Sequence, residues 1–111
     1  SAGILLCRQP IDMRKSIDGL AMLVRAQFHE MPNNGTLYVF CNRLNDKLKI
    51  LYWDRNGFCL WYKRLERDRF RLTSSCSGLV QITGQQLHWL LDGLDYTKLQ
   101  GHQSANYSAY C

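Results

Sequence analysis

The chain has 111 residues with a net charge of +5; hydrophobic residues make up 46% and charged residues 21%. That is enough for one domain with its own core and no metal or disulfide staples. It holds no apolar run near the ~20 residues of a membrane span, and its apolar start has no basic leader, so neither a membrane partner nor a signal peptide is expected and the setting reads as cytoplasmic.

Cysteines stand at 7, 41, 59, 76 and 111. None form a C-x-x-C pair and no histidine sits at zinc-finger distance, so they read as small apolar residues in a reducing compartment. No metal and no cofactor are expected.

In chain order, Ile4 to Cys7 reads as a first short strand. Pro10-Ile11-Asp12 then announces a helix, with Asp12 suited to cap its first turn. The apolar positions Met13, Ile17, Leu20, Ala21, Val24 and Phe28 recur at helical spacing. Gly19 falls inside that pattern, at a cost of about 1 kcal/mol against Ala, which a close approach to a sheet would explain. His29 belongs at the helix end, where its ring suits the C-terminal dipole. Met31-Pro32-Asn33-Asn34-Gly35 stops the helix.

Strands follow over 36–41, 47–53 and 58–63, with a polar turn at Asn42 to Asp46 and a second turn, Asp54-Arg-Asn-Gly57, that holds the Asn-Gly hairpin signal. Phe70 to Leu72 is a candidate further strand, and 73–78 a flexible loop. Leu79 to Ile82 reads as another strand. Thr83 and Gln86 fit a capping box that opens a short helix through Leu87, Leu90 and Leu91. The expected fold is α+β: an antiparallel β-meander of four to five strands, one main N-terminal helix and a short C-terminal helix. Residues 1–100 form a single domain and 101–111 a loose tail.

Even-length hairpin loops would put paired residues on one side of the sheet. One face then carries Leu37, Val39, Cys41, Leu48, Ile50, Tyr52, Cys59 and Trp61. The other carries Tyr38, Phe40, Lys49, Leu51, Trp53, Phe58, Leu60 and Tyr62. Both are apolar. The first, more aliphatic face is expected to take the main helix. The second needs a cover, either the C-terminal helix with the N-terminal strand or a homodimer partner. Its aromatics Tyr38, Phe40, Trp53, Phe58 and Tyr62 could otherwise dock a partner or stack unpaired bases, with Arg43, Lys47 and Lys49 at the rim.

Charge is concentrated. Lys63 to Arg71 holds five bases and two acids, three of the five net positive charges. Such a stripe favours anionic partners, nucleic acid above all, or else forms a solvated loop with Glu66 and Asp68 paired locally. The candidate phosphate contacts are Arg14, Lys15, Arg43, Lys47, Lys49, Lys63, Arg64, Arg67, Arg69 and Arg71. The acids are few and mostly suit caps and turns, such as Asp12, Asp46 and Asp54. His88 and His102 have no evident partner. No carboxylate cluster, phosphate loop or nucleophile motif marks a catalytic site, so no enzyme activity is expected.

Pro10 to Leu20, Asn42 to Asp54 and, above all, Asn56-Gly-Phe-Cys-Leu-Trp-Tyr-Lys-Arg-Leu-Glu66 carry a resemblance. Together they resemble the TnpB-type accessory protein of the insertion-sequence family numbered sixty-six, the second open reading frame beside a DDE transposase. The matching positions are Asp12, Met13, Arg14, Lys15, Gly19, Asp54, Gly57, Trp61, Tyr62, Lys63 and Arg64, with Leu44 where a basic residue is expected. The resemblance implies a bacterial companion of the transposase that supports transposition without cutting DNA, and it brings no catalytic residues. Three roles follow: a DNA-binding subunit using the basic residues, an adaptor docking on the transposase, or a metal-dependent nuclease.

Overall fold

The computed structural model describes residues 3–72 and 78–94. Its elements run β1 (Ile4–Cys7), α1 (Ile17–Phe28), β2 (Leu37–Cys41), β3 (Lys47–Asp54), β4 (Gly57–Arg64), β5 (Leu79–Ile82) and α2 (Gly84–Leu91), with the strands in one sheet of order β4-β3-β2-β1-β5. The fold is α+β as expected, and β2-β3-β4 form the antiparallel meander. The sheet as a whole is mixed. β1 lies parallel to β2, with Ile4 opposite Leu37, and antiparallel to β5. Parallel neighbours need a long crossover, and α1 supplies it.

The hairpin registers match the expected face assignment: Tyr38 pairs with Leu51, Ile50 with Trp61, and Trp53 with Phe58. The β3–β4 turn falls on the expected Asp54–Gly57 segment. Asp54 pairs with Gly57, so Arg55 and Asn56 form the loop and Arg55 takes the left-handed backbone, φ 55°.

Each face has its own core. Leu6, Val39, Cys41, Leu48, Ile50, Phe70, Val80, Ile82, Leu87 and Leu90 pack on one side, and Cys7, Ile11, Leu20, Ala21, Val24, Tyr38, Phe40 and Leu51 on the other. The helices are therefore exchanged relative to expectation. α1 covers the aromatic face and α2 the aliphatic one, while β1 extends the sheet instead of covering it. The side on which a parallel crossover packs follows from its handedness, which the residue types on a face do not encode.

Four local expectations are also corrected. Phe70 to Leu72 is not a strand; Phe70 is a buried plug of the α2-side core, and its N–H donates to the Asn45 carbonyl at 2.6 Å. Asp12 does not cap α1, which starts after Ser16, because its carboxylate is used within the preceding turn. Gly19 does not approach the sheet: a Cβ there would meet Lys15 Cβ and Cγ at 3.4 Å. His88 does have a neighbour, with its Nε2 3.4 Å from Asp92 Oδ2. The 73–77 part of the expected loop, His102 and the tail 101–111 lie outside the described residues.

Cys7 and Cys41 are buried, as expected of small apolar residues, and burial pushes their thiols up to about 11 and about 12. The α2 capping box forms: Gln86 N–H donates to Thr83 Oγ1 at 3.0 Å, and Thr83 N–H to Gln86 Oε1 at 2.8 Å.

Replacing Thr83 by Ala should lower unfolding free energy by about 1 kcal/mol, whereas Thr83→Ser should keep most of it. Urea denaturation of both variants checks this; equal losses would show that the hydroxyl bond is not the source.

Candidate nucleic-acid interface

Three segments distant in sequence meet at one end of the sheet. The first is the turn before α1. Asp12 accepts the Arg14 backbone N–H at 2.9 Å and, through both carboxylate oxygens, the guanidinium at 2.7–3.1 Å. Asp12 uses the Nε and Nη2 edge of Arg14 and leaves Nη1 for a further acceptor. The hydrogen bonds from Arg14 pull the Asp12 carboxyl down to about 2. Ile11 N–H donates to the Cys41 carbonyl at 2.9 Å, which ties this turn to the end of β2.

The second segment is the β2–β3 loop. Asn42 organises it: its Oδ1 accepts the N–H groups of Asp46 and Lys47 at 3.1 and 3.0 Å, and its Nδ2 donates to Asp46 Oδ1 at 2.7 Å. Asn45 supplies the left-handed residue that closes the loop, φ 58°. Arg69 braces the loop from outside, its Nη1 donating to the Leu44 carbonyl at 3.0 Å. The bond from Asn42 is the main cause that lowers the Asp46 carboxyl.

The third segment is the end of β4, which presents Tyr62. Lys49, opposite it on β3, links the segments. Its ammonium donates to the carbonyls of Met13 and Lys15 at 2.8 and 2.9 Å and lies 5.7 Å from the Tyr62 ring centre. A cation over an aromatic face is attracted to the ring quadrupole. Lys49 thus holds the pre-helical turn on the sheet and the ring in place.

Between these segments lies an open groove of about 490 Å³, with Arg14, Arg43, Lys47, Leu44 and Tyr62 among its lining and Asp12 as its one acid. Arg14 and Arg43 are exposed and Lys47 half-buried, 3.6 Å from Asp46. Within the groove the positive charge exceeds the negative.

The structure brings together only part of the basic set expected from sequence. Arg14, Arg43 and Lys47 converge on the groove. Lys15 is exposed beside it, and Lys49 is spent on carbonyls. Lys63 points to the other face, where its ammonium donates to the Leu91 carbonyl at the end of α2 at 2.8 Å. Arg64 pairs with Glu66 at 2.9 Å. Arg67, Arg69 and Arg71 are exposed on the segment after β4.

The aromatic set divides more sharply. Tyr38 and Phe40 are fully buried beneath α1 and cannot receive a base or a partner. Tyr38 is instead an anchor, its hydroxyl donating to Glu30 Oε1 at 3.3 Å. Trp53 and Phe58 pack edge to face, ring centres 4.9 Å apart, and are half-buried. Tyr62 keeps 48% of its surface exposed and is the member of that set lining the groove. Sequence reasoning missed Leu44 as a lining residue and Asn42 as the loop's organiser; the Asn-x-x-Asn-Asp pattern is the signal that marks the latter.

Among the described residues no three His, Cys, Asp or Glu side chains are grouped to hold a metal ion. No helix among them is long and apolar enough to cross a membrane.

Comparison with known proteins gives a consistent result. Residues 2–101 match the family described as IS66 Orf2 like protein. Two proteins of Sinorhizobium fredii are similar, both described as uncharacterised. One, y4hO, is 39% identical over 85 residues, covering 77% of this chain and 74% of its own length. The other, y4jC, is 31% identical over 97 residues, covering 87% and 83%. No solved structure matches.

Two measurements test the geometry. Carbon-detected NMR should find Asp12 titrating near 2, and Arg14→Met should return it toward the ordinary carboxylate range. Because the folded carboxyl is the stronger acid, the pair supports the fold at neutral pH, and that support fades as pH falls from about 4 to about 2. Replacing Lys49 by Met leaves two carbonyls without their cation and should cost about 1–2 kcal/mol in denaturant unfolding; an unchanged midpoint would show that the turn holds itself.

Proposed function

The chain belongs to the IS66 Orf2-like family, and from that premise we propose that it serves transposition as an accessory protein that grips DNA through its phosphates and leaves cutting and joining to the transposase. The family supports the accessory role in the element's transposition machinery. The observation that supports the finer reading is the groove, where Arg14 from the turn before α1, Arg43 from the β2–β3 loop and Lys47 at the start of β3 converge beside an exposed aromatic ring. Cations gathered by the fold from distant positions make a phosphate site more economically explained than a charge run solvated along one loop. Exposed Arg67, Arg69 and Arg71 on the segment after β4 would extend the contact.

A second reading is docking on the transposase along β4. Among the described residues this edge strand has a neighbour on one side only. The antiparallel ladder leaves the backbone groups of alternate residues, Phe58, Leu60, Tyr62 and Arg64, turned outward. Trp61, on the opposite face, is 40% exposed. An extended segment of the partner could add to that edge. Nuclease-treated co-purification with the transposase in the absence of DNA would favour this role over direct DNA binding.

The DNA-binding reading predicts a steep salt dependence. For duplex DNA the slope of log K against log salt is about −0.9 per phosphate neutralised. Substituting Arg14, Arg43 and Lys47 together by Gln should flatten that slope by roughly 2–3 and weaken binding at least tenfold at low salt. Electrophoretic or anisotropy titrations on the element's terminal DNA provide the check. A triple variant that binds like the parent would remove the groove from the reading.

A further inference from the structure

We propose that the groove receives an unpaired strand, with one nucleobase stacked on Tyr62 and its flanking phosphates against Arg14, Arg43 and Lys47. This rests on the DNA-binding reading above and names the form of nucleic acid that the same site selects.

The argument begins with the groove wall. A groove meant for duplex phosphates needs cations and backbone donors, since the bases are already stacked inside the helix. This groove adds apolar surface in the open: Tyr62 is 48% exposed and Leu44 56% exposed. Against a duplex backbone that surface would gain nothing. Against an unpaired base it becomes a stacking platform, and stacking on an aromatic ring tolerates any base because every base has a π-face.

Size agrees. A volume of about 490 Å³ is within the range of small-ligand sites, and the groove is widely open to solvent, so a nucleoside unit can enter without the chain being threaded.

The parts are also held ready. Lys49 is fixed by two backbone carbonyls at 2.8 and 2.9 Å and lies 5.7 Å from the Tyr62 ring centre, so the ring does not have to be ordered on binding. Asp12 holds the Arg14 guanidinium by its Nε and Nη2 edge, and this fixes where Nη1 can meet a phosphate. Ordering such groups in advance lowers the entropic cost of association. Asp12 itself opposes a phosphate, so the strand must approach along the Arg43 and Lys47 wall. The exposed Trp61 offers no such combination: paired with Ile50, it is on the opposite face of the sheet, where the nearby Lys63 ammonium is occupied by the Leu91 carbonyl.

The test uses the full chain and three labelled probes in anisotropy titrations at low salt. These are an oligothymidylate of about a dozen nucleotides, within the usual span of single-strand sites, an abasic phosphodiester of the same length, and a duplex. The parent should bind the oligothymidylate about tenfold more tightly than the abasic strand. Tyr62→Leu should erase that preference and Tyr62→Phe should keep it, while Arg43→Gln should weaken both strands alike. Equal binding of the two strands by the parent overturns the stacking inference, and that comparison decides even if Tyr62→Leu fails to fold. A preference that survives in folded Tyr62→Leu overturns it too. In either case salt-dependent duplex binding would leave the DNA-binding reading standing; binding to none of the probes would remove both.

Discussion

Strand β2 is apolar on both of its faces, and much of the structure follows from the need to cover both. Tyr38, Val39 and Phe40 are successive residues, all fully buried, with the two aromatics directed to one side and the valine to the other. Burying side chains of this size contributes roughly 1.5–3 kcal/mol each, so neither face can be left open. The sheet is therefore a middle layer, with α1 on the aromatic face and α2 on the aliphatic one. Among the described residues the edge strands of the sheet are β4 and β5.

That arrangement also creates the groove. With α1 seated over Tyr38 and Phe40, the chain leading into it crosses the end of β2, where Ile11 is bonded to the Cys41 carbonyl. The β2–β3 loop begins at the next residue. Two loops separated by about thirty positions become neighbours through that backbone hydrogen bond and the Lys49 contacts to Met13 and Lys15, and share one rim. Tyr62 arrives there because its partner in the ladder is Lys49, whose ammonium anchors the pre-helical turn.

Basic residues serve two purposes. Lys49 and Lys63 donate to backbone carbonyls, one beneath the turn before α1 and one at the end of α2. Each clamps a helical segment to the sheet, one on each face. Arg14, Arg43 and Lys47 remain at the surface and give the groove its sign. A count of positive charges along the chain merges these groups, although the first is committed to backbone carbonyls. Membership in a family of transposition accessory proteins gives the groove a biological setting, and because the similar Sinorhizobium fredii proteins are uncharacterised, the roles of individual residues rest on geometry.

Period-2 alternation and loop parity already contain the registers of the β2–β3 and β3–β4 hairpins and the membership of each of their faces, since they depend on neighbours close in sequence. The Thr83–Gln86 cap and the apolar stripe of α1 are local in the same way. The family was legible as well, through three ordered motifs. Composition could not say which helix covers which face, because the handedness of the β1–α1–β2 crossover settles it. Nor could sequence place Asp12 in a turn before the helix, where Arg14 competes for its carboxylate. The basic aromatic character of the meander was visible from the residues alone. Its division into buried Tyr38 and Phe40, bracing Lys49 and Lys63, and a groove at Tyr62 was decided by tertiary packing, because burial and hydrogen-bond partners depend on segments far apart in the chain.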